Sequence, residues 1–176
     1  MSRSDQLSLA GVTEGDVGPI DQSVRFGVFF NNRPFTNGCN LRSSSVVSRP
    51  RVEIGGDDLR VFYTLVMVDL DAPNPSNPTL KEYLHWMVTD IPGTTDASFG
   101  RELIGYESPR PVIGIHRIVF ALLRQRHRRN IISAPNAREN FCTQAFADTY
   151  DLSFPVAAAY FNCQREGGSG GRRFFP

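Results

Sequence analysis

The chain has 176 residues, of which 40% are hydrophobic and 21% charged, and its formal net charge is +1. This length and composition fit one globular domain with a sizeable core, and they exclude an intrinsically disordered chain. A net charge so close to zero excludes a global field that would drive binding to nucleic acid or to a membrane surface.

The N-terminal residues show no apolar leader, and no run approaches the 18 apolar residues of a membrane span. The three cysteines, Cys39, Cys142 and Cys163, are an odd number without CxxC spacing, which argues against a disulfide scaffold or a zinc site. We therefore expect reduced thiols, no transmembrane segment, and a location in the cytoplasm and the nucleus.

Strand patterns dominate the chain. Alternation over residues 24–30 predicts a strand with Val24, Phe26, Val28 and Phe30 on one face, followed by a turn at 31–34. Further strands are predicted at 51–54, 60–69, 84–90, 116–123 and 156–162. The stretch 60–69 has too few polar residues for a surface strand, so we place it at the centre of a sheet.

Two predictions concern local geometry. Strict alternation over 84–90 would place Leu84, Trp86 and Val88 on one face of that strand, opposite His85, Met87 and Thr89. A helix is predicted at 143–150, with Thr143 as its N-cap and with Phe146 and Tyr150 on one face.

The chain shows no internal repeat and no domain boundary, which predicts a single domain over residues 1–176. Residues 1–10 and the basic, glycine-rich tail 167–176 are expected to be flexible. The predicted fold class is mostly β, with antiparallel sheets and one or two peripheral helices.

Four titratable residues stand at the ends of apolar runs: Asp69, Asp71, His85 and His116. Such residues rarely enter an apolar strand pattern unless they are paired or line a cavity. If their strands are neighbours, the side chains converge in a polar pocket whose N–H donors suit a phosphate or a carboxylate. The aspartates would then fix the tautomers of the imidazoles and raise their pKa.

Two other interpretations of these residues stay open. Each histidine could be a satisfied core residue and each aspartate the cap of a turn, or two histidines and a carboxylate could hold iron or zinc. The metal interpretation is weaker, because there is no HExxH and no helical spacing. We find no G-x-S-x-G elbow, no activated cysteine and no phosphate-binding glycine loop, so we predict no enzyme activity, metal or cofactor.

Residues 124–129, called the basic run below, contain four arginines in six positions directly after an apolar strand. Such a run is often only a solvated loop. Alternatively, it forms an arginine-rich edge that binds an acidic protein or phosphate, because guanidinium groups pair with carboxylates through two parallel hydrogen bonds.

Several motifs together resemble the phosphatidylethanolamine-binding protein family. Its signature is similar to Asp69-Leu70-Asp71-Ala72-Pro73, Leu84-His85-Trp86 and Gly114-Ile115-His116-Arg117. The stretches 64–69, 82–86, 89–95, 106–111 and 160–166 resemble the plant, FLOWERING LOCUS T-like (florigen) branch of that family. The resemblance covers nearly all of the chain from about residue 10 onward.

The resemblance implies a central antiparallel sheet flanked by a smaller one, with an anion pocket at its edge. It also implies a monomeric, non-enzymatic and mobile regulator of flowering. Such a regulator binds a 14-3-3 adaptor that in turn holds a phosphorylated bZIP transcription factor, and it does not touch DNA itself. The family's 14-3-3 contacts fall here on Asp58, Arg60, Pro92, Phe99 and Arg128.

Several positions of this chain bear on whether it promotes or represses flowering. Tyr83 is the residue type of the flowering promoters, whereas the repressors have His there. In residues 133–141, called the external loop below, promoters typically read Tyr-Ala-Pro-Gly-Trp-Arg-Gln-Asn-Phe. The four positions that differ here are Ser133, Asn136, Ala137 and Glu139. A lost aromatic and a new negative charge would weaken recruitment of a coactivator through this loop, which predicts a weak promoter or a competitive antagonist.

Leu70 stands where the family usually has proline between the two aspartates. We expect this change to free one backbone N–H and to loosen the turn. The competing functional hypothesis is a carrier or inhibitor that holds a phospholipid head group or a free phosphate in the Asp/His pocket.

Overall fold

The computed structural model describes Val12 and residues 16–131 and 133–167. Its strands are β1 (Phe26–Phe30), β2 (Arg33–Pro34), β3 (Asn40–Arg42), β4 (Arg51–Ile54), β5 (Phe62–Asp69), β6 (Tyr83–Pro92), β7 (Arg101–Ile104), β8 (Ile115–Arg124) and β9 (Pro155–Gln164). Helix α1 spans Thr143–Tyr150, and two 3₁₀ helices span Ser43–Val46 and Ala97–Phe99. No helix in this part of the chain has the length and apolar character needed to cross a bilayer.

The strands form two sheets. One has six strands in the order β3-β9-β8-β5-β6-β7, and the other has three in the order β2-β1-β4. All pairs are antiparallel except β3 with β9 at the edge of the larger sheet. The predicted mostly β architecture is therefore confirmed. Apart from Gly167, the chain ends predicted to be flexible lie outside the described residues, and the single domain stays a prediction.

Strand β5 lies at the centre of the larger sheet, between β8 and β6, as the sequence predicts. Leu65 and Met67 pack into the core between the two sheets, whereas Val66 and Val68 pack into a second core that includes residues of α1. All four are fully buried. Burial of such a side chain contributes about 1.5–3 kcal/mol, so a strand buried on both faces is a main source of stability.

Four phenylalanines close the core between the sheets. The ring centroid of Phe161 lies 5.7 Å from that of Phe30, 5.4 Å from that of Phe35 and 6.3 Å from that of Phe120. The Phe161 pairs with Phe30 and Phe35 are edge-to-face, the geometry that aromatic quadrupoles favour. This cluster therefore ties β1, β8 and β9 together.

The predicted alternation along β6 is wrong at Leu84. Met67 pairs with Trp86, but the next residue of β5, Val68, pairs with Leu84, so His85 is the extra residue of a bulge. A bulge shifts the side-chain period by one. Leu84 consequently packs with Met87 in the core beside α1, while Trp86 and Val88 pack between the sheets.

Helix α1 has the predicted bounds but not the predicted cap. Cys142 is the N-cap, with extended backbone angles and with its sulfur accepting a hydrogen bond from the Ala145 N–H at 3.4 Å. Thr143 is already the first helical residue, and its hydroxyl donates to the Glu82 carboxylate instead. The predicted helix face is confirmed, since the rings of Phe146 and Tyr150 lie 4.9 Å apart.

The turn predicted at 31–34 is shorter than expected. Only Asn31 and Asn32 form it, with left-handed φ values of 52° and 63°. Asparagine tolerates this region better than most residues, and the pair gives the twist that a tight hairpin needs. Arg33 and Pro34 already belong to β2.

We expect Phe161→Ala to lower the free energy of unfolding by about 3–5 kcal/mol, because it removes a fully buried ring and leaves a cavity. Urea denaturation measures this. The matched control is Phe99→Ala, which removes the same ring from a position 67% exposed and should change stability by no more than about 0.5 kcal/mol. Equal effects of the two substitutions would contradict this account of the core.

Candidate functional site

The first ion pair at the predicted pocket joins the end of β5 to the start of β8. His116 donates from Nδ1 to the Asp69 carboxylate at 2.7 Å and from Nε2 to the Ile113 carbonyl at 2.9 Å. Both partners can only accept, so both ring nitrogens carry protons and His116 is an imidazolium. Burial opposes this charge, but the Asp69 hydrogen bond and charge overcome it and raise the pKa of His116.

The second ion pair lies beside the first. Arg117 donates to both oxygens of Asp71 from Nε and Nη2, each at 2.9 Å, and its backbone N–H adds a third bond at 2.8 Å. Burial alone would raise the pKa of Asp71, yet these bonds and the guanidinium charge hold it below its usual value. The Asp71 N–H in turn donates to Asp69 at 2.8 Å, so the two ion pairs form one network.

The turn between the two aspartates is not loosened as expected. The backbone N–H of Leu70, which a proline would lack, donates to the Arg117 carbonyl at 3.1 Å. Leucine therefore adds a hydrogen bond between the chain after β5 and β8, and its side chain is fully buried.

His85 behaves differently from His116. Its Nδ1 donates to the Glu107 carbonyl at 2.6 Å, and its ring is buried. Burial dominates here and lowers the pKa of His85, so the prediction of a raised value is wrong for this histidine. The neutral ring has its proton on Nδ1, which leaves Nε2 as a hydrogen-bond acceptor.

Arg138 fixes the external loop over β6. Its Nη1 donates to the carbonyls of Leu84 and His85 at 3.1 and 2.9 Å, and its Nη2 donates to that of Gly105 at 2.8 Å. Its Nε lies 3.2 Å from the Glu107 carboxylate. This arginine lies inside the external loop, but the sequence gives no signal of its role, because its partners are more than thirty residues away.

The structure therefore brings Asp69, Asp71 and His116 into one hydrogen-bonded network and places His85 close enough for the Asp69 charge to act on its pKa. The oxygens of both aspartates are engaged by cations and N–H groups of the protein itself. Among the described residues, no group of three or more His, Cys, Asp or Glu side chains could hold a metal ion. The interpretation of the four titratable residues as structural groups with partners inside the protein thus fits Asp69, Asp71 and His116.

The five residues matched to 14-3-3 contacts lie at the opposite end of β5. The Asp58 carboxylate accepts two hydrogen bonds from the Arg60 guanidinium, both at 3.1 Å. It also accepts one from the backbone N–H of Arg60 at 2.8 Å. Gly93 lets this segment approach the end of β6, since a Cβ there would lie 2.6 Å from the Asp58 carbonyl oxygen. Pro92 therefore neighbours the Asp58–Arg60 turn.

The other two contacts adjoin the same edge. The guanidinium of Arg128 lies 5.9 Å from the ring centre of Phe62, and Phe62 pairs with Pro92 across the sheet. Phe99 is 67% exposed in the 3₁₀ helix that follows β6, beside an open groove of about 640 Å³ that Phe29 and Thr94 also line. Arg60 has a side chain 90% exposed. The surface thus combines exposed guanidiniums with an exposed ring.

The residues expected to determine activity divide between the loop and β6. Ser133, Asn136, Ala137 and Glu139 are all exposed. Tyr83 lies beside the same loop, donates to the Glu107 carboxylate at 2.7 Å, and has its pKa raised to about 12 by burial and by that hydrogen bond. The Ser133 hydroxyl lies 2.8 Å from the Tyr150 hydroxyl, which ties the loop to α1.

Glu82 is a buried titratable residue near the external loop whose burial the sequence does not indicate. Its buried carboxylate accepts from the Thr143 N–H at 2.9 Å and from the Thr143 hydroxyl at 2.5 Å. Burial raises its pKa to about 7, against the opposing effect of the Thr143 bonds. Glu82 also pairs through its backbone with Phe141 at the end of the external loop. A carboxylate next to Lys81 in a loop gives no sequence signal of burial.

Comparison with known proteins agrees with the fold and the motifs. The model of the family "Phosphatidylethanolamine-binding protein" matches residues 28–158. The chain is 54% identical to FLOWERING LOCUS T of Arabidopsis thaliana over 96% of both chains. It is also 57% identical to TERMINAL FLOWER 1 of the same plant, over 82% of this chain and 81% of that one. Both relatives are flowering proteins by name.

A solved structure shows the same fold. The phosphatidylethanolamine-binding protein from Plasmodium vivax superimposes with a TM-score of 0.76 over 92% of this chain and 97% of that one, at 19% sequence identity. The two sheets and their order are therefore those of a known architecture.

We expect Glu82→Gln to stabilise the protein at pH 8 by up to about 3 kcal/mol. This is the free-energy equivalent of the difference between the ordinary glutamate pKa of 4.5 and the pKa of about 7 that Glu82 has in the folded protein. The folded protein binds the Glu82 proton more tightly than the unfolded chain, so stability falls as the pH rises from about 4.5 to about 7. Glutamine mimics the protonated acid, because its oxygen can accept from the Thr143 N–H while its NH₂ donates to the hydroxyl.

Urea denaturation of parent and variant at pH 5, 6, 7 and 8 measures this difference. At pH 5 the difference between the two proteins should be no more than about 1 kcal/mol. The control is Glu139→Gln, the same substitution at an exposed position, which should shift stability by no more than about 0.5 kcal/mol at any of these pH values. A parent that gains stability over Glu82→Gln as the pH rises would refute the prediction.

Proposed function

Since the chain belongs to the phosphatidylethanolamine-binding protein family, we propose that it is a non-enzymatic regulator of flowering that binds a 14-3-3 adaptor and, through it, a bZIP transcription factor. The flowering role is supported by relatives more than 50% identical over most of their length. The protein would act as a monomer in the cytoplasm and the nucleus and would not bind DNA directly, in keeping with its net charge of +1.

The observation that best supports the adaptor is the edge formed by Arg60, Pro92, Phe99 and Arg128. Arginine and aromatic residues dominate the binding energy of protein interfaces, and rim guanidiniums accelerate association with an acidic partner. Here the exposed side chains stand on strand ends and short turns that are fixed by backbone hydrogen bonds, so little conformational entropy is lost on docking.

The second candidate, a phosphate or phospholipid head group in the Asp/His pocket, has less support from the geometry. The cations nearest the pocket, His116 and Arg117, already face Asp69 and Asp71. An anion would have to compete with these carboxylates, and neutral His85 offers no charge. The family name supports this candidate, but the contacts favour the arginine-rich edge.

We further propose that the protein occupies the adaptor complex without fully activating transcription. The external loop presents Ala137 and Glu139 to solvent where promoters of the branch have an aromatic ring and a neutral amide. An interface that needs a buried aromatic anchor loses most of its energy when that anchor is a methyl group. The adaptor edge uses other residues and would keep its affinity.

We expect this protein to bind a plant 14-3-3 protein in a calorimetric titration and Arg128→Glu to weaken that binding at least tenfold, because the substitution places a negative charge against an acidic partner. Affinity should fall with rising salt. The matched control is Arg110→Glu, the same charge reversal at an exposed arginine between β7 and β8, which should change the affinity less than about twofold. No saturable binding by the parent, or equal losses in both variants, would count against the adaptor function.

The activity hypothesis has its own experiment. In a reporter assay with a 14-3-3 protein and a bZIP factor, Ala137→Trp combined with Glu139→Gln should raise transcriptional output several-fold, because the pair restores the aromatic anchor and removes the charge. The affinity for 14-3-3 should stay within about twofold of the parent's. Unchanged output at unchanged affinity would show that the loop does not limit activation.

A further inference from the structure

The segment Arg126–Ile131, called the basic loop below, is held by a buried polar cluster at the end of β8. The loop has three arginines but offers no apolar side chain to the core before Ile131. Repulsion among its like charges favours an open conformation. Polar contacts keep it against the sheet: Arg126 pairs with Asp151 at 2.6 Å, and Asn130 donates to the Tyr150 carbonyl. The residues Gln125 and Asp90 hold the middle of the loop.

The side-chain amide of Gln125 is buried, and both of its ends are hydrogen-bonded. Its oxygen accepts from the Thr64 hydroxyl at 2.9 Å and from the Asp90 N–H at 2.8 Å. Its NH₂ group donates to the Asp90 carboxylate at 2.9 Å, to the His127 carbonyl at 3.1 Å and to the Asn130 side chain at 3.3 Å. One neutral amide thus joins β5 and β6 to two positions of the loop.

Asp90 holds the loop from the opposite side. The oxygen that accepts from Gln125 also accepts from the Arg129 N–H at 2.7 Å. The other carboxylate oxygen lies 3.5 Å from Arg101 Nε, and Arg101 donates from Nη2 to the Ile131 carbonyl at 2.8 Å. Asp90 has a left-handed φ of 58°, a conformation that Asp, Asn and Gly adopt at the lowest cost.

The same cluster fixes the surface under Arg128. The backbone N–H of Gln125 donates to the Phe62 carbonyl at 2.8 Å, and Phe62 is the ring over which the Arg128 guanidinium lies. Pro92 follows Asp90 by two residues on β6. The backbone at Gln125 and Asp90 thus places Phe62 and Pro92 beside the loop that the side chains of the same two residues hold.

We infer that Asp90 and Gln125 are positioning residues for partner binding, which preorganise the basic loop so that Arg128 is presented to an acidic protein surface. This inference rests on the proposed adaptor function. Ordering a loop on binding reduces affinity, and a loop already ordered avoids that cost. Buried polar clusters that are fully satisfied specify one conformation, whereas partly satisfied ones are destabilising.

The sharpest test compares two substitutions of equal charge at one position. Asp90→Asn keeps an oxygen that can accept from Gln125 and from Arg129, whereas Asp90→Gly removes all of these bonds and still tolerates the left-handed backbone. Both variants remove the same negative charge. Electrostatics alone would therefore make each bind an acidic partner more tightly than the parent, and to the same extent.

We expect Asp90→Gly to bind a plant 14-3-3 protein at least fivefold more weakly than Asp90→Asn, mainly through slower association, as measured by surface plasmon resonance. Trypsin supplies a readout that needs no partner, since it cleaves after Arg126, Arg128 and Arg129. At 15 °C, cleavage at these three sites, monitored by mass spectrometry, should be at least tenfold faster in Asp90→Gly than in Asp90→Asn. Arg101→Met, at a half-exposed side chain, should shift both readouts in the same direction by a smaller factor.

The possible results separate this inference from the function on which it rests. If the parent binds 14-3-3, equal affinity of the Asn and Gly variants for it overturns the positioning role. Equal cleavage rates of the two variants would show that the cluster does not hold the loop, and this result also overturns the positioning role. If the parent fails to bind 14-3-3 while cleavage differs as expected, the adaptor function is wrong and the cluster's hold on the loop is correct.

Discussion

The structure depends on one constraint: β5 is buried on both faces, so the polar groups at its two ends must find partners inside the protein. Asp69 at one end pairs with His116, and Thr64 near the other end donates to Gln125. Strand β8 runs antiparallel to β5, so it begins where β5 ends and ends where β5 begins; His116 lies near its start, and Gln125 directly follows its end. The two candidate surfaces of the molecule are therefore the two ends of one strand pair.

The two ends meet this requirement with different chemistry. At the Asp69 end, cations and carboxylates of the protein neutralise one another, which consumes the groups that could have bound an external anion. At the Thr64 end, a neutral amide and one carboxylate bond to each other, and each also bonds to one backbone group of the basic loop. The guanidinium of Arg128 is left facing solvent. This difference is why we propose a protein partner rather than a small anion.

Much of the fold could be predicted from the sequence because strands buried on one or both faces leave a period that can be counted. The hydrophobic period does not reveal the bulge at His85, which moves Leu84 to the core beside α1. The candidate site was predicted less well. The network of Asp69, Asp71 and His116 follows from short motifs, but the holding roles of Arg138, Asp90 and Gln125 depend on partners brought close only by sheet register. The neutral Gln125 within the basic run is the one local signal that was available.

The external loop and the basic loop are neighbours in sequence but have separate supports. Arg138 holds the first to carbonyls of β6 and of Gly105, whereas Gln125 and Asp90 hold the second. The anchor Arg138 lies between the exposed residues Ala137 and Glu139, so those two side chains can be exchanged without loss of the loop's attachment. In the described part of the chain, Tyr150 contacts both loops: its carbonyl accepts from Asn130 and its hydroxyl contacts Ser133. Separate supports allow the external loop to diverge while the proposed adaptor edge stays intact, which is the condition that our proposal of one partner with a different output requires.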